Sequence, residues 1–119
     1  MEKTINIIGA GQVGKVLAYL FHQKGQLKIE NILCSTLENS IKACQFIGAG
    51  KACSSINQLT RADIHLIATQ DDKLEMVFEK MLEAQIFQEN NVIFHCSGFK
   101  SSAIFEKARA VKSYVASLH

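Results

Sequence analysis

The 119-residue sequence contains no proline, and neither sign of charge dominates it. Without proline, linker or repeat, nothing marks a domain boundary, and a chain of this length forms a single core. We therefore interpret residues 1–119 as one domain. Thirteen basic and eleven acidic residues give a net charge of only +2. This balance gives no signal for nucleic acid or a membrane surface as partner.

Long apolar runs and paired cysteines are also missing. No stretch approaches the ~20 apolar residues of a membrane-spanning helix, and the first strand-like run begins at Thr4, too early for a signal peptide. A cytoplasmic location is therefore expected. The four cysteines contain no C-x-x-C pair. We predict no metal site, and we interpret Cys34 and Cys96 as small core residues within strands.

What the sequence does contain is a G-x-G-x-x-G motif directly after a β-branched run. The run at residues 4–8 has the composition of a buried strand. The motif comprises Gly9, Ala10, Gly11, Gln12, Val13 and Gly14. Apolar residues then recur at helical spacing as far as Gly25, which stands where a C-terminal cap is expected. The glycines are therefore predicted to lie in a strand-to-helix turn.

This turn has the chemistry of a dinucleotide-binding site. Gly9 permits a tight turn, Gly11 lets a pyrophosphate approach the backbone, and Gly14 lets the helix pack closely on the strand. The helix N-terminus offers unpaired N–H groups and the positive end of its dipole to an anion. The alternative, a glycine turn that binds nothing, is less favoured because motif and context agree.

Strand-like and helical patterns alternate along the rest of the chain. The predicted strands lie at residues 4–8, 28–34, 51–53, 64–69, 91–96 and 113–118. This β-α-β alternation predicts an α/β fold of the Rossmann type, with a doubly wound, mostly parallel sheet in the order 3-2-1-4-5-6. Ligands of such sheets bind at the carboxyl ends of the strands. The cofactor candidates outside the glycine motif are Ser35, Thr36, Ala68, Thr69, Gln70, Ser97 and Gly98.

The identity of the dinucleotide depends on the end of the second strand. An NAD site usually has an acidic residue there, about 20 residues beyond the glycines. That position falls near Ser35, and no acidic residue occupies it. The hydroxyls of Ser35 and Thr36, with Ser40 and Lys42 further on, favour the 2′-phosphate of NADP. NAD remains the alternative cofactor, and an ordinary helix start is the alternative interpretation of Ser35 and Thr36.

No Ser/His/Asp constellation or pair of carboxylates identifies catalytic residues. Ser97 and Gly98 follow the fifth strand, where the nicotinamide would lie, so Ser97 is a weak catalytic candidate. His95 is a second weak candidate as a proton donor, and it could instead hydrogen-bond a local carbonyl. His65 lies within a strand and is interpreted as structural.

Three stretches carry a resemblance to a known family: IIGAGQVG at residues 7–14, DIHLIATQDD at 63–72 and VIFHCSG at 92–98. The chain resembles the N-terminal Rossmann-like domain of bacterial oxidoreductases that continue with a helical domain of unknown function. It is also similar to the cofactor domains of pyrroline-5-carboxylate reductase and the 6-phosphogluconate dehydrogenase group. The resemblance implies NAD(P) binding and a small-molecule substrate. It also implies a pocket shared with a second domain, through which a homodimer could form.

Three functions follow as hypotheses. The leading one is the cofactor-binding domain of an NADP-dependent oxidoreductase of unknown substrate, inactive in isolation. The alternative is a nucleotide-sensing regulatory module of the kind that gates potassium transport, although such modules normally keep an acidic residue after strand two. The third is a degenerate domain used only for protein interaction, against which the intact glycine triplet argues.

Overall fold

A computed structural model describes residues 3–9, 11–69, 71–95, 109 and 114–117. Its elements are β1 (Lys3–Ile8), α1 (Gln12–Lys24), β2 (Leu27–Leu33), α2 (Leu37–Ile47), β3 (Lys51–Cys53), a 3-10 turn (Ile56–Gln58), β4 (Ile64–Ile67), α3 (Asp71–Glu83), β5 (Val92–His95) and β6 (Tyr114–Ser117). The strands pair in parallel in the order β3-β2-β1-β4-β5-β6. The predicted Rossmann-type sheet is confirmed.

Helices cover both faces of the sheet, so the central strand β1 buries apolar residues on each side. On the α1/α2 face, Ile5 and Ile7 of β1 pack with Ala18 of α1. On the α3 face, Ile8 packs with Phe78 of α3. The alternation from Ile7 to Ile8 follows the two-residue period of a strand. The two cores therefore meet at β1, the strand that leads into the glycine motif.

The first two helices end at glycines in the left-handed conformation. Gly25 closes α1 with φ +64°, as predicted, and Gly48 closes α2 with φ +88°. At the other end of α2, Thr36 Oγ1 accepts a hydrogen bond from the Asn39 N–H at 3.1 Å. Within the described part of the chain, no helix has both the length and the apolarity needed to cross a membrane.

A row of buried polar side chains, here called the polar ladder, crosses the α3 face and comprises Asn91, His65, Asn6 and Asn31. His65 Nε2 lies 3.0 Å from Asn91 Oδ1, and Asn31 Nδ2 donates to Asn6 Oδ1 at 2.8 Å. Asn6 Nδ2 donates to the Thr60 carbonyl at 2.8 Å and lies 3.4 Å from His65 Nδ1. Burial lowers the pKa of His65 to about 4, even though its bond to Asn91 acts in the opposite direction. The interpretation of His65 as structural agrees with this geometry.

Two strands end earlier than predicted. β2 stops at Leu33, so the placement of Cys34 inside a strand is wrong. The reason is local, because the Cys34 N–H donates to Ser40 Oγ at 2.8 Å rather than to a neighbouring strand. β4 stops at Ile67, so Thr69 is also outside its strand. Cys96, the other cysteine predicted to lie in a strand, falls outside the described residues.

Candidate functional site

A cavity of about 550 Å³ lies at the carboxyl ends of β1, β2 and β4. This is the switch point of the sheet, where chain connections run in opposite directions. The turns after the three strands contribute Gly9, Gly11, Cys34, Ser35, Ala68 and Thr69 to its lining. The structure thus brings predicted cofactor candidates from three separate stretches of sequence around one space.

The turn at Gly9 requires a glycine for two reasons. Gly9 has φ +74°, a conformation that residues with a Cβ rarely adopt. A Cβ at this position would lie 2.5 Å from Thr69 Cγ2 and 3.0 Å from the Thr69 nitrogen. The Gly11 N–H closes the turn by donating to the Gly9 carbonyl at 2.7 Å. Gly9 therefore allows the turns after β1 and β4 to touch.

The other two glycines of the motif face different surroundings. A Cβ on Gly14 would lie 2.7 Å from the Cβ of Ala68, so this glycine lets α1 pack against the end of β4. A Cβ on Gly11 would meet nothing within 4 Å. Gly11 therefore borders open space, and it is one of the residues that line the cavity. The structure needs Gly9 and Gly14 for packing, whereas only a ligand would need Gly11 to lack a side chain.

The N-terminus of α1 is suited to an anion. Gly11 occupies the N-cap position and supplies no capping side chain, and the first turn of the helix contains no acidic residue. The N–H groups at the start of a helix need acceptors, and the dipole places positive potential there. An anionic group beside Gly11 would supply what this helix end lacks.

The turn between β2 and α2 separates the two predicted hydroxyls. Ser35 lines the cavity, together with Asn39 of the following helix. Thr36 is engaged as the N-cap of α2, which is the alternative considered from the sequence. Ser35 is thus the better placed of the two for a ligand.

Three lysines line the cavity, one from each helix: Lys15 of α1, Lys42 of α2 and Lys73 of α3. The described lining residues include no aspartate or glutamate. Lys42 Nζ lies 3.2 Å from Glu38 Oε1, in an exposed pair of a kind that contributes little and can open. The sequence analysis did not identify Lys15 and Lys73 as candidate cofactor-binding residues. Both lie in the first turn of a helix that follows a strand, and this shared position could have indicated them.

One buried polar atom in the cavity has no partner among the described residues: Thr69 Oγ1. A buried hydroxyl without a hydrogen bond is costly, and a ligand in the cavity could supply the missing bond. Together with the open space at Gly11, this atom fits a polar ligand such as a dinucleotide. No group of three potential metal ligands occurs in the described part of the chain.

The remaining candidates can be placed only in part. His95 ends β5 and is buried, with 3% of its surface exposed. Gln12 and Val13 form the first turn of α1. The four others, Ala10, Gln70, Ser97 and Gly98, lie outside the described residues. Their roles stay predictions.

A parallel sheet in this order, with a glycine turn after its first strand, is the Rossmann class of fold. Solved structures share it. A Bacteroides fragilis protein provisionally described as an NADP oxidoreductase matches with a TM-score of 0.72 and 14% identity, over 98% of this chain and 60% of its own. Synechocystis arogenate dehydrogenase matches with a TM-score of 0.72 and 19% identity, over 91% of this chain and 37% of its own.

Lactate dehydrogenase from Eimeria maxima, solved with NADH and oxamate, matches with a TM-score of 0.72 and 14% identity, over 99% of this chain and 44% of its own. The chain therefore spans 60% or less of the length of these three proteins. At such identities the likeness establishes the fold. No protein-family model and no curated protein matches the chain.

Proposed function

We propose that this chain is the cofactor-binding domain of an NADP-dependent oxidoreductase. The observation that carries the proposal is the charge of the cavity, with three lysines and no carboxylate among its described lining residues. NADP carries a phosphate on its adenosine ribose that NAD lacks. A cavity lined by lysines favours the more highly charged cofactor, because each additional phosphate gains from the same cations.

We expect different residues of the site to bind different parts of the cofactor. The diphosphate is expected at the N-terminus of α1, beside Gly11 and within the reach of Lys15. We expect Ser35 and Lys42 to bind the 2′-phosphate, and their position in the lining of the cavity at the β2–α2 side supports this. Thr69 Oγ1 would gain a hydrogen bond to the ligand.

In such an enzyme the nicotinamide ring supplies the hydride chemistry, and the protein binds and orients it. The candidates on the nicotinamide side are Ser97 and Gly98, with His95 as a possible proton donor. We further propose that a second domain completes the substrate pocket and carries a dimer contact, as the family resemblance implies. Water exclusion and substrate orientation contribute many kcal/mol to catalysis, so the chain alone should bind cofactor without turnover.

Calorimetric titration with NADPH and NADH tests the proposal. We expect NADPH to bind with a Kd between about 1 μM and 1 mM, corresponding to about 8 to 4 kcal/mol, and at least as tightly as NADH. Ser35→Asp should reverse this order, since a carboxylate repels the 2′-phosphate and accepts bonds from free ribose hydroxyls. Lys24→Gln, at the far end of α1, is the control and should change neither affinity.

Three results would each contradict part of the proposal. Absence of binding by either cofactor at millimolar concentration would exclude the dinucleotide site. Clearly tighter binding of NADH to the unmodified chain would exclude the NADP assignment. Robust NADPH oxidation by the isolated chain, followed by absorbance with a panel of keto acids, imino acids and aldehydes, would show that no second domain is needed.

A further inference from the structure

We infer that Ser40 is a positioning residue whose buried hydroxyl shapes the turn at residues 34–36 and thereby sets the preference for a 2′-phosphate. The inference rests on the proposed function. Ser40 lies one turn into α2 and has 0% of its surface exposed. It cannot touch a ligand from there, so any influence on the cofactor must pass through the turn it holds.

The Ser40 hydroxyl joins three segments of backbone. Its Oγ accepts a hydrogen bond from the Cys34 N–H at 2.8 Å. The same oxygen lies 2.7 Å from the carbonyl of Cys53 and 3.2 Å from that of Thr36. A hydroxyl has only one proton to donate, and the shorter distance assigns it to Cys53. One buried atom therefore connects the end of β2, the end of β3 and the start of α2.

These bonds determine the path of the chain past the cavity. The Cys34 N–H is drawn out of the sheet, and β2 stops at Leu33. Two residues later, Thr36 is fixed as the cap of α2. Ser35 lies between these two fixed points and lines the cavity. Its position relative to the cavity is thus set by Ser40 on one side and by the helix cap on the other.

Helix stability alone does not favour a serine at this position. Serine is a weaker helix former than alanine, and its hydroxyl competes for backbone hydrogen bonds. Position 40 is fully buried, as are Ala43 and Ile47 of the same helix, and at a buried helix position alanine is the better helix former. The Ser40 hydroxyl instead accepts a hydrogen bond from the Cys34 N–H and donates one to the Cys53 carbonyl. These bonds hold the turn at residues 34–36, which explains why a serine stands at this position.

The test compares Ser40→Ala with the unmodified chain in two measurements. Amide hydrogen exchange should become faster at Cys34, because its N–H loses its acceptor. Calorimetry should show an increase in the Kd of NADPH of about tenfold. The Kd of NADH should rise by no more than about threefold, because that cofactor has no 2′-phosphate to be held by the turn. The selectivity ratio should therefore fall.

Two further variants separate positioning from general destabilisation. Ser40→Thr keeps the hydroxyl and should restore the selectivity ratio. Ile47→Val removes a buried methyl group from the same helix, so it should lower the melting temperature and leave the ratio unchanged. If Ser40→Ala does not fold, Ser40→Cys replaces it, since a thiol of similar size makes a weaker hydrogen bond, and the same direction of change is expected.

The outcomes distinguish this inference from the proposed function. If the unmodified chain prefers NADPH and Ser40→Ala keeps that preference, the inference is overturned and the proposed function stands. Unchanged exchange at Cys34 would also overturn it. If the unmodified chain binds neither cofactor, the proposed function and this inference both fail.

Discussion

The polar ladder and the lysine-lined cavity are two polar regions on the same strands. They differ in whether their buried polar groups have hydrogen-bond partners. In the ladder, Asn6 bonds to Asn31 and to the Thr60 carbonyl, and His65 contacts amide groups on both sides. In the cavity, Thr69 Oγ1 has no partner among the described residues. The ladder residues hydrogen-bond one another, whereas the cavity contains a buried hydroxyl to which no described residue bonds.

The two regions are very close in sequence. On β1 and its following turn, Asn6 and Gly9 are three residues apart, and on the β4 side His65 and Thr69 are four apart. Buried polar groups that satisfy one another stabilise the fold, and those that do not are candidates for function. The difference therefore predicts that substitutions in the ladder should affect stability and that substitutions in the cavity should affect binding.

The largest expected effect is at the glycines. Gly11→Val should abolish dinucleotide binding, a loss of about 4 to 8 kcal/mol, while the free energy of unfolding should change by less than about 1 kcal/mol. Gly11 has φ −72°, and its Cβ would meet nothing within 4 Å. Gly14→Val should instead unfold the domain, since its Cβ would lie 2.7 Å from Ala68 Cβ. Calorimetry and urea unfolding check both, and a folded Gly11→Val that still binds would refute the role of Gly11.

The second effect contrasts one residue from each region. Asn6→Leu should lower the free energy of unfolding by about 3 to 4 kcal/mol, because it removes the buried contacts of Asn6 with Asn31, His65 and the Thr60 carbonyl. Thr69→Val, which removes a hydroxyl with no partner in the described part of the chain at nearly constant shape, should change stability by less than about 1 kcal/mol. Urea unfolding measures both. An equal loss of unfolding free energy in the two variants would show that the ladder and the cavity contribute equally to stability.

The third effect is a pH dependence that arises in the ladder. The pKa of His65 is lowered to about 4 in the folded state from an ordinary value of 6.5. Between those values the unfolded chain binds a proton that the folded chain does not, so stability falls as the pH decreases from 6.5 to 4. The loss from this group is about 3 kcal/mol. His65→Gln should be less stable at neutral pH and should lack this component of the slope.

The smallest expected effect belongs to a single cavity lysine. Lys73→Gln should weaken NADPH binding by about 1 kcal/mol, or roughly fivefold, because it removes one cation from the cavity. The difference from the unmodified chain should shrink as salt is added, since partly exposed charges are screened. Titrations at two ionic strengths test this. A salt-independent difference would indicate that Lys73 acts on the shape of the cavity rather than on its charge.

The sequence predicted those parts of the molecule that depend on local pattern. The β1–glycine turn–α1 unit and the strand order follow from hydrophobic periodicity and crossover rules. The end of β2 did not follow, because the next residue, Cys34, donates its N–H to the Ser40 hydroxyl six residues further along the chain. The sequence shows that Lys15 and Lys73 each lie early in a helix that follows a strand, but their grouping with Lys42 depends on how three helices pack around one cavity. The partners in the polar ladder lie on different strands, and the residues alone do not show those pairings.

The contact between β1 and β4 has a consequence for how the domain assembles. Thr4 and Asp63, joined by a hydrogen bond of 2.9 Å, are 59 residues apart in the chain. Closing so long a loop costs conformational entropy before the contacts between the strands can stabilise it. Pairings between residues far apart in sequence therefore slow folding. The β1–α1–β2 unit can form from neighbouring residues, but the cavity exists only after β4 has joined β1. A ligand of this cavity can therefore stabilise only chains in which β1 and β4 have already paired.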